Sequence, residues 1–456
     1  MTWIGRRRHL TALAWMALAG AGLGACSPEV TGPPSDPVDT QIRAGLATAG
    51  VVPLAAPPAQ NPDRVALGRL LMFDKILSGN QDISCASCHH PLTHSSDGLT
   101  LAVGTMGTGI IGSRQPVAGR HFIPRNSPDL FNRGYSQFTR MFWDGRVETV
   151  SGTLHTPAGA ALPIGLSGPL AAQAMFPVLN RDEMRGLAGD TTLAGAHNEL
   201  ADVGDSDFVA GWAALTARLM AIPSYLQKFQ AAYPGVATNA FGFQHAANAI
   251  AAFEASAFLA THTPFDSYLA GNNSALSDSA KKGALLFYGR ARCSKCHIGN
   301  LFSNQNFENI GIPQLGPGEQ ADGFDHGRGA ISGVAAEEFS YKAPPLRNVE
   351  LTAPYMHNGA YSILAAAIKH YSNPRESLTS YDASQLPGVL QATVRNDAPT
   401  QAAVLATLDI RADTTVNLTP AEVAQIEEFL KSLTDPASRD LTSLVPDSVP
   451  SGLPVD

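Results

Sequence analysis

Hydrophobic positions along the chain form a few strongly periodic segments separated by long aperiodic ones. Val423, Ile426, Leu430 and Leu433 recur at steps of three and four, behind a capping box, Thr419-Pro420-Ala421-Glu422, that carries proline at the first helical position. This predicts an amphipathic helix. Leu364, Ala367, Ile368 and Tyr371 make a second stripe, stopped by Asn373-Pro374. A further helical stretch covers residues 246–260. Two lead-ins resemble each other: Gly68-Arg69-Leu70-Leu71 with Phe73, and Gly283-Ala284-Leu285-Leu286 with Phe287. The repeat predicts two related helical domains. Residues 98–195 are broken by Gly and Pro with little periodicity, and no strand ladder is expected anywhere.

The N-terminus reads as an address rather than as structure. Arg6, Arg7 and Arg8 precede an apolar run from Leu10 to Leu23, and Leu23-Gly24-Ala25-Cys26 is a small-residue cleavage site ending in Cys. The run falls short of the roughly 20 residues a membrane span needs. It resembles a bacterial lipoprotein signal, which implies cleavage before Cys26, acylation of its thiol and a periplasmic enzyme lipid-anchored at the outer membrane. Residues 26–62, with seven prolines from Pro28 to Pro58, are expected to form a loose tether.

Length allows two to three domains, and a hydrophobic content of 44% rules out global disorder. With 42 Gly and 32 Pro and only 15% charged residues, long irregular loops are expected. The formal charge of −8 grows more negative once Arg6–8 leave with the leader, a poor match to nucleic acid or to an anionic membrane surface. Membrane contact is then by the lipid anchor only.

Cys26 accounts for one of five cysteines, and the other four stand in two copies of one pattern, Cys85-Ala86-Ser87-Cys88-His89 and Cys293-Ser294-Lys295-Cys296-His297. A random chain of this composition would carry about 0.0015 copies of C-x-x-C-H. Two thiols at this spacing can form thioethers to both vinyl groups of a haem, and the adjoining His then reaches the iron. Zinc binding or a redox dithiol is the other chemistry open to such pairs, but neither requires a His after each pair. Two covalently bound haems c are expected.

Around these motifs the chain is similar to a known family. Residues 84–89, Pro124-Arg125-Asn126-Ser127-Pro128, Phe142-Trp143-Asp144-Gly145-Arg146, the second haem motif, Pro345-Leu346-Arg347-Asn348-Val349 and Leu351-Thr352-Ala353-Pro354-Tyr355 resemble the bacterial di-haem cytochrome c peroxidases, in order, over about residues 60–435. The resemblance implies a mostly α fold of two cytochrome c-like helical domains, each with one haem. It implies a peroxidatic haem in residues 63–268, an electron-transfer haem in residues 269–435 and a C-terminal tail over 436–456. It also implies Ca²⁺ between the haems, at positions matching Asn126, Thr352 and Pro354, where hard oxygen ligands suit that ion.

The far side of each iron decides the chemistry, because only an open sixth position admits peroxide. Family members that rest inactive close the first haem with a His in a Val-Gly-His-Gly segment. Here the segment reads Val103-Gly104-Thr105-Met106-Gly107, so the first haem is expected five-coordinate, with Met106 and then His121 or His94 as rival ligands. The resemblance places Glu183 as the proton-transfer carboxylate, Gln173 as hydrogen-bond partner of bound oxygen and Pro177 on the pocket wall. Trp143 matches the aromatic relay between the haems. Residues 148–172 are longer than the family's usual connection and are expected to shape access to the pocket. Tyr371 aligns with the second haem's far ligand, which is Met in the peroxidases and Tyr in the MauG-like subgroup, with Met356 and His370 as rivals.

Three functions follow from these expectations. The first is reduction of hydrogen peroxide with electrons from a small cytochrome c or copper protein. The second is MauG-like oxidation of a protein or organic substrate through a two-haem ferryl state, and the third is passive electron transfer with both irons six-coordinate. A homodimer is left open.

Overall fold

A computed structural model describes residues 36–456. The leader, residues 1–25, and the acylation candidate Cys26 lie outside the described residues. The two lead-in repeats are the same construction used twice. Helix Pro62–Phe73 starts at Asn61, whose side chain accepts from Arg64 N at 3.0 Å, and it crosses helix Phe243–Ala257. At the crossing a Cβ on Gly68 would stand 1.8 Å from the Ala249 carbonyl oxygen. Helix Asp278–Tyr288 crosses Pro420–Lys431 in the same way, and there a Cβ on Gly283 would meet Gln425 O at 1.8 Å. A mid-helix glycine costs about 0.5–1 kcal/mol relative to alanine, and here it permits backbone contact that no larger residue allows. Phe73 packs edge-on to Phe253, and Phe287 lies at a tilt to Phe429.

The capping box forms as the sequence predicts. Thr419 N donates to Glu422 Oε2 at 2.9 Å and Glu422 N to Thr419 Oγ1 at 3.3 Å. Val423, Ile426, Leu430 and Leu433 are all buried, with Phe429 beside them. The helix expected over residues 246–260 runs over Phe243–Ala257.

Two hydrophobic cores result. One gathers Leu67, Phe131, Met175, Trp212 and Phe253, the other Phe265, Phe287, Phe302, Ile368 and Phe429. No helix among the described residues is long and apolar enough to cross a membrane.

Two expectations, the loose tether and the absence of a strand ladder, are corrected, and the C-terminal tail finds its place. The tether over 26–62 contains a helix, Pro37–Thr48, that buries Ile42 and Leu46 in the second core. Its Asp39 accepts from Tyr268 Oη at 2.9 Å and pairs with Lys281 Nζ at 2.9 Å. Burying each aliphatic side chain contributes about 1.5–3 kcal/mol, so this segment is docked where prolines on both sides suggested a loose chain. The C-terminal tail over 436–456 returns to the first core, which takes up Val449. The Arg69 guanidinium donates to the carbonyls of Ser443, Leu444 and Val445 at 2.8–3.0 Å, and Lys75 pairs with Asp456 at 2.6 Å. Finally, a three-stranded antiparallel ladder does form from Arg140–Met141, Val147–Val150 and Thr153–His155. Strands of two to four residues are too short to show a period of two, and the turn at Ser151-Gly152 needs positive φ at both residues.

Candidate functional site

Each C-x-x-C-H motif is a single 3₁₀ turn, Cys85–Ser87 and Cys293–Lys295, closed by the His N–H bonding back to the first Cys carbonyl at 3.0 Å. His89 Nδ1 lies 3.1 Å from Ser95 O and 3.3 Å from Ser127 Oγ, and His297 Nδ1 lies 2.9 Å from Phe302 O. A carbonyl only accepts, so Nδ1 carries the proton in both rings and Nε2 keeps its lone pair for a metal. Burial holds both imidazoles neutral. Burial also pushes the thiols of Cys85, Cys293 and Cys296 up to about 12, and Cys88 well above its ordinary value. A zinc site or a redox dithiol would have no use for the buried His that follows each pair, whereas haem attachment uses both thiols and that His. All four thiols are unpaired. The residues therefore fit two covalently held haems.

One cavity joins the first motif to the residues singled out for peroxide chemistry. Cys85, Cys88 and His89 line it, as do Gln173, Pro177 and Glu183. Gln173 ends helix Pro169–Gln173 and Pro177 opens the next turn. Asn180 caps the turn Arg181–Arg185, its Oδ1 accepting from Asp182 N and Glu183 N at 2.9 and 3.1 Å. Burial pushes the Glu183 carboxyl up to about 7, against the pull of Arg146. That is a value suited to taking and returning a proton near neutral pH.

The segment carrying Thr105 holds this turn from behind. Thr105 N donates to Glu183 O at 2.9 Å, and a Cβ on Gly104 would stand 1.8 Å from Asp182 O. Thr105 Oγ1 donates to Asp82 Oδ1 and accepts from Asn80 Nδ2, both at 2.9 Å. None of Thr105, Met106, His94 and His121 lines the cavity. Met106 is 37% exposed with φ +62°, His94 Nδ1 lies 3.0 Å from Ser438 O, and His121 is exposed.

Asn126, Trp143, Thr352, Pro354 and Met356 stand on another wall of the same cavity. Trp143 Nε1 donates to Asn126 O at 2.9 Å, and Asn126 Nδ2 donates to Leu99 O at 2.7 Å, which turns its own Oδ1 the other way. The three positions matched to calcium thus line the same cavity.

At the second motif, Tyr371 follows helix Leu364–His370. Burial first, and then the nearby Cys296 and Cys293 thiols, push its phenol well above the ordinary range. His370 has neither ring nitrogen free: Nδ1 lies 2.9 Å from Tyr361 Oη and Nε2 2.6 Å from Ile310 O. Met356 lines the first cavity.

Sequence reading missed the charged frame behind Trp143. Arg125 forms a bidentate pair with Asp325 at 2.7 Å and a further bond to Asp144, which Arg146 also grips at 2.6 Å while reaching Glu319 at 2.7 Å. Burial pushes the Asp144 carboxyl up, but Arg125 and Arg146 outweigh it and hold the group well below its usual range. Lys342 and Glu254, also on the cavity wall, were missed as well. No local signal marks partners 200 residues apart.

The family model for di-haem cytochrome c peroxidase matches residues 62–274. The methylamine utilization protein MauG of Methylorubrum extorquens is 30% identical over 338 residues, 74% of this chain and 76% of that one. Cytochrome c551 peroxidase of Pseudomonas aeruginosa is 30% identical over 307 residues, 67% and 71%. Among solved structures, a MauG-like protein associated with microbial copper homeostasis is similar in fold at TM-score 0.59 and 24% identity, covering 84% of this chain and 94% of that one. The di-haem peroxidase BthA from Burkholderia thailandensis follows at 0.56 and 20%, covering 89% and 92%. The chain belongs to the di-haem cytochrome c peroxidase family. It is a di-haem peroxidase, an oxidoreductase.

Proposed function

We propose that this protein reduces hydrogen peroxide at an open first haem held by Cys85, Cys88 and His89, with electrons passed from a second haem held by Cys293, Cys296 and His297. The observation that carries the reading is that His89, Gln173 and Glu183 share one cavity that Met106, His94 and His121 do not line. The haems supply the two electrons the O–O bond takes up when peroxide and two protons become two waters. The chain's own residues do the rest. Glu183, near its midpoint at neutral pH, takes the proton from the near peroxide oxygen and returns it to the departing one. Gln173 amide groups orient the oxygen, and Pro177 limits the space. Trp143, on the wall of that cavity, would relay electrons between the haems. Asn126 Oδ1 with the Thr352 and Pro354 carbonyls offers Ca²⁺ a hard oxygen set beside that relay. Tyr371 would serve as the far ligand of the second haem, and a phenolate there would favour the oxidised iron over the reduced one.

The donor is a small cytochrome c or copper protein, and the enzyme works in the periplasm, lipid-anchored through Cys26 at the outer membrane. Tyr371 together with the likeness to MauG favours a second reading, oxidation of a protein or organic substrate. Peroxide-dependent oxidation of a reduced small cytochrome separates the two: fast turnover supports the first reading, while peroxide consumption without cytochrome oxidation moves the function to the second.

A further inference from the structure

Lys342 is a buried amine for which the mechanism has no use. It is 7% exposed, lines the cavity of the first haem motif and donates from Nζ to the Arg140 carbonyl at 2.8 Å. Among the described residues it forms no ion pair. Arg133, also 7% exposed and on the same wall, stands beside it: the Phe138 ring lies 4.9 Å from the Arg133 guanidinium carbon and 5.9 Å from Lys342 Nζ. Asp129 is the one carboxylate paired with these two groups, through Arg133 at 3.2 Å. Glu254, another carboxyl on the cavity wall, leaves Oε2 without a partner and makes no ion pair with Lys342.

As this wall stands, burial and then Arg133 push the Lys342 amine well below its ordinary range, against the pull of Asp129 and Asp144; a charge is kept buried only with a partner, so an anion against Nζ would hold it protonated. The cavity's own ligand carries two, the propionates on the haem edge away from the vinyl groups that the Cys85 and Cys88 thiols take. The geometry points to Lys342, with Arg133 beside it, as the seat of a propionate of the first haem. Lys342 is the second residue of strand Tyr341–Lys342, from the later part of the chain, so this contact ties the second half of the sequence to the cofactor of the first.

The proposal rests on the first motif carrying a haem, and the holoprotein separates the two questions. Resonance Raman spectra of the loaded protein report the propionate bending modes. Lys342→Gln, which keeps a donor for the Arg140 carbonyl and loses the charge, is expected to shift these modes and to lower the first haem's potential. Lys342→Arg is expected to restore both towards the wild type. A crystal structure of the wild-type holoprotein, which needs no variant, is expected to place Nζ within ion-pair distance of a propionate oxygen. A haem present on Cys85 and Cys88 with propionates turned away from Lys342, or with modes unmoved by Lys342→Gln, would overturn the proposal. Absence of that haem would instead overturn the peroxidase reading.

Discussion

The backbone N–H of Thr105 donates to the backbone carbonyl of Glu183 at 2.9 Å. The side chain of Thr105, the residue that the resemblance matches to a closing His, turns to Asp82 and Asn80. This segment therefore braces the residue proposed to act on peroxide. Asp82 fixes this segment twice, at Thr105 Oγ1 and at Met106 N.

Glu183→Gln should slow peroxide cleavage by roughly a hundredfold to ten-thousandfold while leaving both haem spectra nearly unchanged, as measured by stopped-flow absorbance. The pH profile has a definite sign. A proton acceptor must begin as carboxylate, and burial raises this group to about 7, so the wild-type rate should fall as pH drops through that value. The Gln variant should lose the inflection. A wild-type rate flat between pH 5.5 and 8.5 would count against Glu183 as the base.

Gly104→Ala tests the brace. The added methyl would have to push the Asp182 carbonyl away from 1.8 Å, and crowding of this kind typically costs about 1–3 kcal/mol. Peroxide cleavage should slow with the spin state of the first haem unchanged. A variant with wild-type rate and melting temperature would show that Glu183 does not depend on this contact.

Gly68→Ala and Gly283→Ala should each lower the melting temperature, because both helix crossings put a carbonyl oxygen 1.8 Å from the new carbon. Calorimetry on the haem-loaded protein checks this. Alanine tolerated at either position would mean that the crossing relaxes easily.

These two glycines also mark how far the sequence reaches. The repeat of Gly, two leucines and Phe before each motif was legible, as were the haem motifs and the capping box, because each is written in adjacent residues. Glu183, Gln173 and Pro177 were legible only through family resemblance. What stayed hidden depends on distant partners. Ile42 and Leu46 form too short a stripe between prolines to announce a docked helix, and Arg125 finds Asp325 from 200 positions away. His370 looked like a rival iron ligand until both of its nitrogens were seen engaged.

Tyr371→Phe should open the second iron and change its spin state while the first haem still binds peroxide. Tyr371→Met should raise the second haem's potential, since a thioether favours reduced iron more than a phenolate does. If Tyr371→Phe leaves the low-spin spectrum untouched, Tyr371 is a core residue.

The open first site is tested most directly by the EPR spectrum of the resting ferric holoprotein, recorded before any reductant is added. One high-spin and one low-spin haem are expected, with peroxide reacting at once. Two low-spin signals, with peroxide reactivity appearing only after half-reduction, would contradict it.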